Sequence, residues 1–96
     1  MKYFHSATLQ RLSASGANFV YTANGTSVCF LQPLDTESSV AMGMEINKAH
    51  VCYFPLDTDI KEKDRAVISA KKYSVKGVRS HEYGGLAHKR AILELI

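Results

Sequence analysis

The residues that could do chemistry are few and widely spaced. His50-Val51-Cys52 sets an imidazole and a thiol on one face of an extended segment, because side chains alternate along a strand. With Cys29 and one of His5, His81 or His88 they would make up a zinc ligand set. Structural zinc sites draw on closely paired ligands such as CxxC, and the chain has no such pair. Cys52 as a nucleophile with His50 as its base lacks an orienting acid and an oxyanion loop. Asp57 and Asp59 have the spacing that puts two carboxylates on one strand face, where they could hold a divalent cation or share acid–base work. They flank Thr58 just before the run Lys61-Glu62-Lys63-Asp64, so a solvated turn is the better reading. Gly84-Gly85 sits in neither a P-loop nor a GxGxxG frame, which leaves a phosphate cradle unsupported. No catalytic residue, metal ligand or cofactor is assigned on these patterns. A basic–aromatic mixture of Tyr73 and Tyr83 with Lys72, Lys76 and Arg79 would suit single-stranded nucleic acid on an OB-like barrel. The competing reading places Tyr73 in the core and turns the bases to solvent or to a neighbour.

The elements that must position these residues are mostly strands. The segment from Tyr3 to Leu12 is a candidate strand, and residues 13–17 are small enough for a loop. Asn18-Phe19-Val20-Tyr21-Thr22 is rich in β-formers. Asn24-Gly25 then predicts a tight hairpin, because both residues tolerate positive φ. Thr26 to Gln32 is the returning strand, with Val28 and Phe30 on one face and Cys29 and Leu31 on the other. Pro33 ends the pairing. Asp35 or Thr36 can cap a short helix over Glu37 to Met44 that Gly43 would terminate. Met42 and Met44 fit either core filling or a soft contact surface. Strands follow at Ala49 to Phe54, Arg65 to Ser69, Lys72 to Arg79 and His88 to Ile96, with a turn at Ala70-Lys71 and a loop over residues 81–85. Gly77 marks a β-bulge that resets the phase between Val75 and Val78. Ala91, Leu93 and Leu95 share one face of the last strand and Ile92 and Ile96 the other, so it is expected to be covered on both sides. Six or seven short strands, frequent turns and one brief helix predict a mainly β fold: a small antiparallel barrel (a sandwich being the other option) with long loops.

A chain of 96 residues makes one domain. Its apolar content of 46% is that of a globular protein. No apolar run approaches the roughly 20 residues that cross a bilayer. The segment Met1-Lys2-Tyr3-Phe4-His5-Ser6 has no apolar block, so neither a membrane anchor nor a signal peptide is expected. Two cysteines are too few for a disulfide scaffold and suit a reduced, buried pair. Charge is uneven. Residues 61–90 hold nine of the twelve basic residues (Lys61, Lys63, Arg65, Lys71, Lys72, Lys76, Arg79, Lys89 and Arg90) against three acids, a balance of +6, and residues 1–60 carry −2. Such polarity suits a subunit that meets an oppositely charged neighbour, a weak nucleic-acid surface, or solvated strand faces.

One order of features is more specific. Phe30-Leu31-Gln32-Pro33-Leu34 precedes a short helical insert and a strand carrying Ala49-His50-Val51. Next comes Asp59-Ile60-Lys61-Glu62-Lys63-Asp64-Arg65-Ala66-Val67, which reads D-I-K-x-x-D-R-x-V. At short separation follows Lys71-Lys72-Tyr73-Ser74-Val75-Lys76-Gly77-Val78, which reads K-x-Y-x-V-K-G-V, and then Ala91-Ile92-Leu93-Glu94. Over roughly residues 28–95 this order resembles the head–tail joining proteins of tailed bacteriophages, the head-closure, stopper or head–tail adaptor proteins. The family often has Gly in the turn before K-x-Y, where this chain has Ala70, and the first 25 residues match poorly.

The resemblance implies a small barrel with a long loop and a short helix, copies of which form a ring, hexameric or dodecameric. That ring would sit in the virion neck, assembled in the host cytoplasm, between a portal or adaptor protein on the head side and a tail terminator or tail tube protein on the other. It would help close the channel over packaged double-stranded DNA, without enzymatic activity, cofactor or membrane. The basic residues 61–90 are candidates for a subunit- or DNA-facing surface. Asp35, Glu37, Met42, Met44 and Glu45 in one loop, and His81, Glu82 and Tyr83 in another, are candidates for interface contacts. A tail-terminator-type neck protein and an OB-like single-strand-binding module are the alternatives.

Overall fold

A computed structural model describes residues 3–15, 18–45, 47–82 and 87–96. They form β1 (His5–Ser15), β2 (Asn18–Pro33), α1 (Thr36–Ala41), β3 (Ala49–Pro55), β4 (Arg65–Ile68), β5 (Lys71–His81) and β6 (His88–Leu95). The six strands close into one antiparallel barrel in the order β1-β2-β3-β6-β5-β4. The mainly β barrel with one short helix is therefore the fold. Closure follows from alternation: Ala7 and Leu9, Cys29, Cys52 and Phe54, Ala66 and Ile68, Tyr73 and Val75, and Ala91 and Leu93 all point into one buried cluster. Burying side chains such as Phe54, Leu9, Ile68 and Leu93 stabilises the fold by about 1.5–3 kcal/mol each. Cys29 and Cys52 are free thiols inside this cluster. The hydrogen bond to Cys29, together with burial, pushes the Cys52 thiol up.

The barrel bends where the sequence allows it. Pairing slips between Val75 and Gly77, so Lys76 is the extra residue of a bulge and Val78 returns to the core side, as expected from Gly77. Asn24-Gly25 does not turn a hairpin. β2 continues through it, and the pair faces Leu9 alone in a second bulge, between Thr8↔Thr26 and Gln10↔Ala23. Gly25 has a φ of 85°, which a bulge uses as readily as a turn does. The loop expected over residues 13–17 is not found at Ser13 to Ser15. Ser13 to Ser15 stay in β1 and pair with Val20 to Asn18. The rest of that expected loop, residues 16–17, lies outside the described residues. The β4–β5 turn is Ser69-Ala70, one residue earlier than expected, and both residues have positive φ, 51° and 64°.

Asp35 takes the N-cap position of α1 without a side-chain cap hydrogen bond, and Gly43 follows the helix end at a φ of 72°. The helix is shorter than the 37–44 read from sequence. The segment carrying it lies over the outside of β3 and β6, where Leu34, Ala49 and Val51 pack with Met44, Tyr53 and Ile92. Ile92 is thus covered from outside, as expected of the last strand, whereas Ile96 is exposed.

The β3–β4 connection folds across one mouth of the barrel. Ile60 plugs into the core. Thr58 meets the Ser27 hydroxyl at 2.9 Å and accepts from Lys89 Nζ at 2.6 Å through its carbonyl. The expected solvated turn over residues 61–64 holds for Lys61, Glu62 and Lys63, which are exposed, but not for Asp64. It is 3% exposed. Its carboxylate accepts from Arg11 Nε and Nη2 at 3.1 and 2.8 Å and from the Lys61 N–H at 3.0 Å.

Candidate functional site

The D-I-K-x-x-D-R-x-V stretch is a clamp. Arg11 on β1 forks between Asp64 and Asp59, reaching the Asp59 carboxylate at 3.0 and 3.1 Å. Arg11 holds the Asp59 carboxyl below the usual carboxylate range. Asn24 donates to the Asp59 carbonyl at 3.0 Å, Tyr21 to the Lys63 carbonyl at 3.4 Å, and the Arg65 guanidinium lies 3.9 Å over the Tyr21 ring. Every one of these partners sits at the root of the β1–β2 hairpin. The ion pairs are part of the scaffold, and the pair Asp57 and Asp59 is not a cation site: Asp59 is taken by Arg11.

Beyond the clamp the hairpin stands alone. β1 pairs with β4 only through Ala7 to Gln10, and β2 pairs with β3 only through Phe30 to Pro33. From Arg11 outward the two strands pair only with each other, which makes a two-stranded arm. Leu12, Phe19 and Val20 are exposed on it, Phe19 to 72%. From residue 12 to residue 34 the chain has no charged residue. Sequence reading missed this arm because the Asn-Gly signal cut β2 in two. The uncharged run was the available clue.

Across the barrel, α1 and its flanks leave a cleft on the outer face of β5 and β6. Two adjoining hollows of about 420 and 300 Å³ share Met42, Gly77 and Ile92. The smaller is completed by Met44 and Lys76, the larger by Glu62, Val78, Arg79 and Arg90. A Cβ placed on Gly77 would meet nothing within 4 Å. Arg79 and Arg90 are directly opposed across the strands. Neither has an ion-pair partner among the described residues, and such a pairing of like charges is unfavourable unless something else meets it.

The basic residues read from sequence do not form one surface. Lys71 and Lys72 open β5 and are exposed, as are Lys61 and Lys63 in the mouth connection. Lys76 reaches Glu94 at 3.8 Å. Arg65 and Lys89 are occupied within the chain, by Tyr21 and by the Thr58 carbonyl. Lys76, Arg79 and Arg90 gather at the cleft. Of the loop residues, Met42 and Met44 line the same cleft, Asp35 and Glu37 sit at the start of α1, and Glu45 pairs with Lys48 at 3.3 Å. Glu82 is exposed, and Tyr83 with the glycines after it lies outside the described residues. Tyr73 is buried and its phenol is raised by that burial, so it offers no stacking platform. His81 stacks on His88 at 5.1 Å. That pair ends a ladder of rings on the barrel's outside that runs from Phe4 through Phe30 and Tyr53. His50 points inward against Tyr73, and no cluster of three metal-ligating side chains occurs among the described residues.

Comparison with known proteins finds the fold. No protein-family model matches the chain, and no curated protein matches it in sequence. The solution structure of SF1141 from Shigella flexneri 2a superposes with a TM-score of 0.69 at 12% identity, over 97% of this chain and 92% of that one. The structure of xkdH, from the phage-like element PBSX of Bacillus subtilis, superposes with a TM-score of 0.63 at 16% identity, over 95% and 92%.

Proposed function

We propose that the chain is a structural virion protein that forms a ring at the neck of a tailed phage and joins the portal or adaptor of the filled head to the tail. The observation that carries this reading is the likeness to xkdH of a phage-like element over nearly the whole of both chains. The order of the D-I-K and K-x-Y stretches supports it, because each holds a definite part of the same barrel: the arm clamp and mouth plug in one, the inward Tyr73 and Val75 and the Gly77 bulge in the other. On this reading the chain works by contact, without cofactor or catalysis. Its partners are further copies, the portal or adaptor above, the tail terminator or tail tube below, and DNA in the channel.

A nonsense mutation of the gene in the parent virus tests the reading. Electron microscopy of the lysate is expected to show separate heads and complete free tails, with heads emptied of DNA if the ring also closes the channel. Normal infectious particles would overturn it. The unmatched Arg79 and Arg90 favour, as a second reading, a site for a polyanion such as single-stranded nucleic acid. That reading requires binding that falls steeply with salt and is lost when Lys72, Lys76 and Arg79 are reversed in charge.

A further inference from the structure

We infer that the arm of one copy seats its exposed Phe19 in the β5–β6 cleft of the next copy, so that copies join head to tail. The inference rests on the ring reading and names the contact that would build the ring. Four observations lead to it. The barrel order places β1–β2 and β6–β5 on opposite sides, with β3 intervening on one side and β4 on the other. A projection and a receptor on opposite sides of identical subunits make a heterologous contact, the kind that propagates around a ring. The arm is a ribbon with two free edges and no charge on them, whereas exposed edges are normally guarded by charged residues or proline. Its exposed Phe19 needs an apolar receptor, and the cleft of about 300 Å³ walled by Met42, Met44 and Ile92 admits one aromatic side chain. The free carbonyls of a ribbon edge are also acceptors for Arg79 and Arg90, which have no acid partner among the described residues.

The same features argue against other occupants. Nucleic acid is held chiefly by Lys and Arg, which the arm lacks beyond its root. The clamp at Arg11, Asp59 and Asp64 sets the angle at which the arm leaves the barrel, so the receptor meets a positioned segment.

Sedimentation velocity of the full chain, with concentration raised to about 1 mM, tests the contact. The wild-type chain is expected to associate with increasing concentration. Phe19→Ser on the arm and Gly77→Leu in the cleft are each expected to weaken association by at least about 30-fold. The Cβ of Gly77→Leu enters open space, and Met42→Asp, at a half-exposed wall position, is a second cleft variant should the first disturb β5. An equimolar mixture of Phe19→Ser and Gly77→Leu retains one intact arm and one intact cleft, and is expected to form dimers that grow no further. A wild-type chain that stays monomeric throughout, variants that associate like wild type, or a mixture without dimers would each overturn the inference. If association survives both variants while the nonsense mutant separates heads from tails, the ring reading stands and the contact lies elsewhere. If arm and cleft behave as stated and the nonsense mutant makes normal particles, the contact stands and the neck reading falls.

Discussion

At the scale of single residues, Arg11 has more depending on it than any other polar side chain of the barrel. It neutralises Asp64, a buried carboxylate that would otherwise keep only the Lys61 N–H. Removing one member of such a pair leaves an uncompensated charge. Arg11→Ala is expected to destabilise the chain by about 2–3 kcal/mol, read from urea unfolding. Arg11→Lys is expected to rescue little of it, because one ammonium cannot fork between two carboxylates. Asp59 adds a pH dependence with a definite sign. Its carboxyl is depressed in the folded chain by Arg11. Its contribution is therefore complete above the unfolded value near pH 4 and is lost as pH falls through the lower folded value. Asp59→Asn is expected to remove that part of the acid sensitivity and leave the neutral-pH slope unchanged. None of this was legible in the sequence. Arg11 lies far from the D-I-K stretch, and a charged run reads as solvated until the fold brings a counter-charge to it.

At the scale of elements, the β4–β5 turn is a place where local chemistry and fold disagree. Ser69 and Ala70 both hold positive φ, which costs an L-residue about 1–2 kcal/mol. The favoured occupants of such a two-residue turn are Asn and Gly. Ala70→Gly is expected to stabilise the barrel by roughly 1 kcal/mol and raise its melting temperature by about 4–8 °C in a thermal scan. The two glycines within the strands, Gly25 and Gly77, sit in bulges that their neighbours reveal unequally. Gly77 lacks a turn partner and was legible as a bulge from the phase of Tyr73, Val75 and Val78. Asn24-Gly25 has the composition of a hairpin turn, and only the pairing of Leu9 against both residues makes it a bend in a longer strand. The barrel and the inward faces of β5 and β6 follow from alternation, and the short helix from the capping residues and Gly43 that bracket it. The cleft does not, because it arises where α1 stops short of Gly77, and its walls come from separate elements.

At the scale of the whole molecule, a barrel without edges carries one hairpin that keeps two of them. The arm beyond Arg11 has no third strand, and an isolated two-stranded hairpin is marginal in water. Hydrogen exchange of the isolated chain is expected to show fast amides in β1 after Arg11 and in β2 before Thr22, with β3, β5 and β6 slowest. Assembly would slow the arm selectively. The seam that shuts the barrel is the short pairing of β1 with β4, which joins Ala7 to Ile68 and Gln10 to Arg65. Contacts of such long sequence separation repay their loop-closure entropy last, so the hairpins are expected to form early and the seam late. During synthesis on the ribosome β4 emerges long after β1 and β2, and until then the nascent chain exposes its uncharged β-rich segment to other chains. Cells making many copies would need either a chaperone at that stage or rapid completion of the chain, and yield of soluble protein should depend on translation speed through residues 35–68.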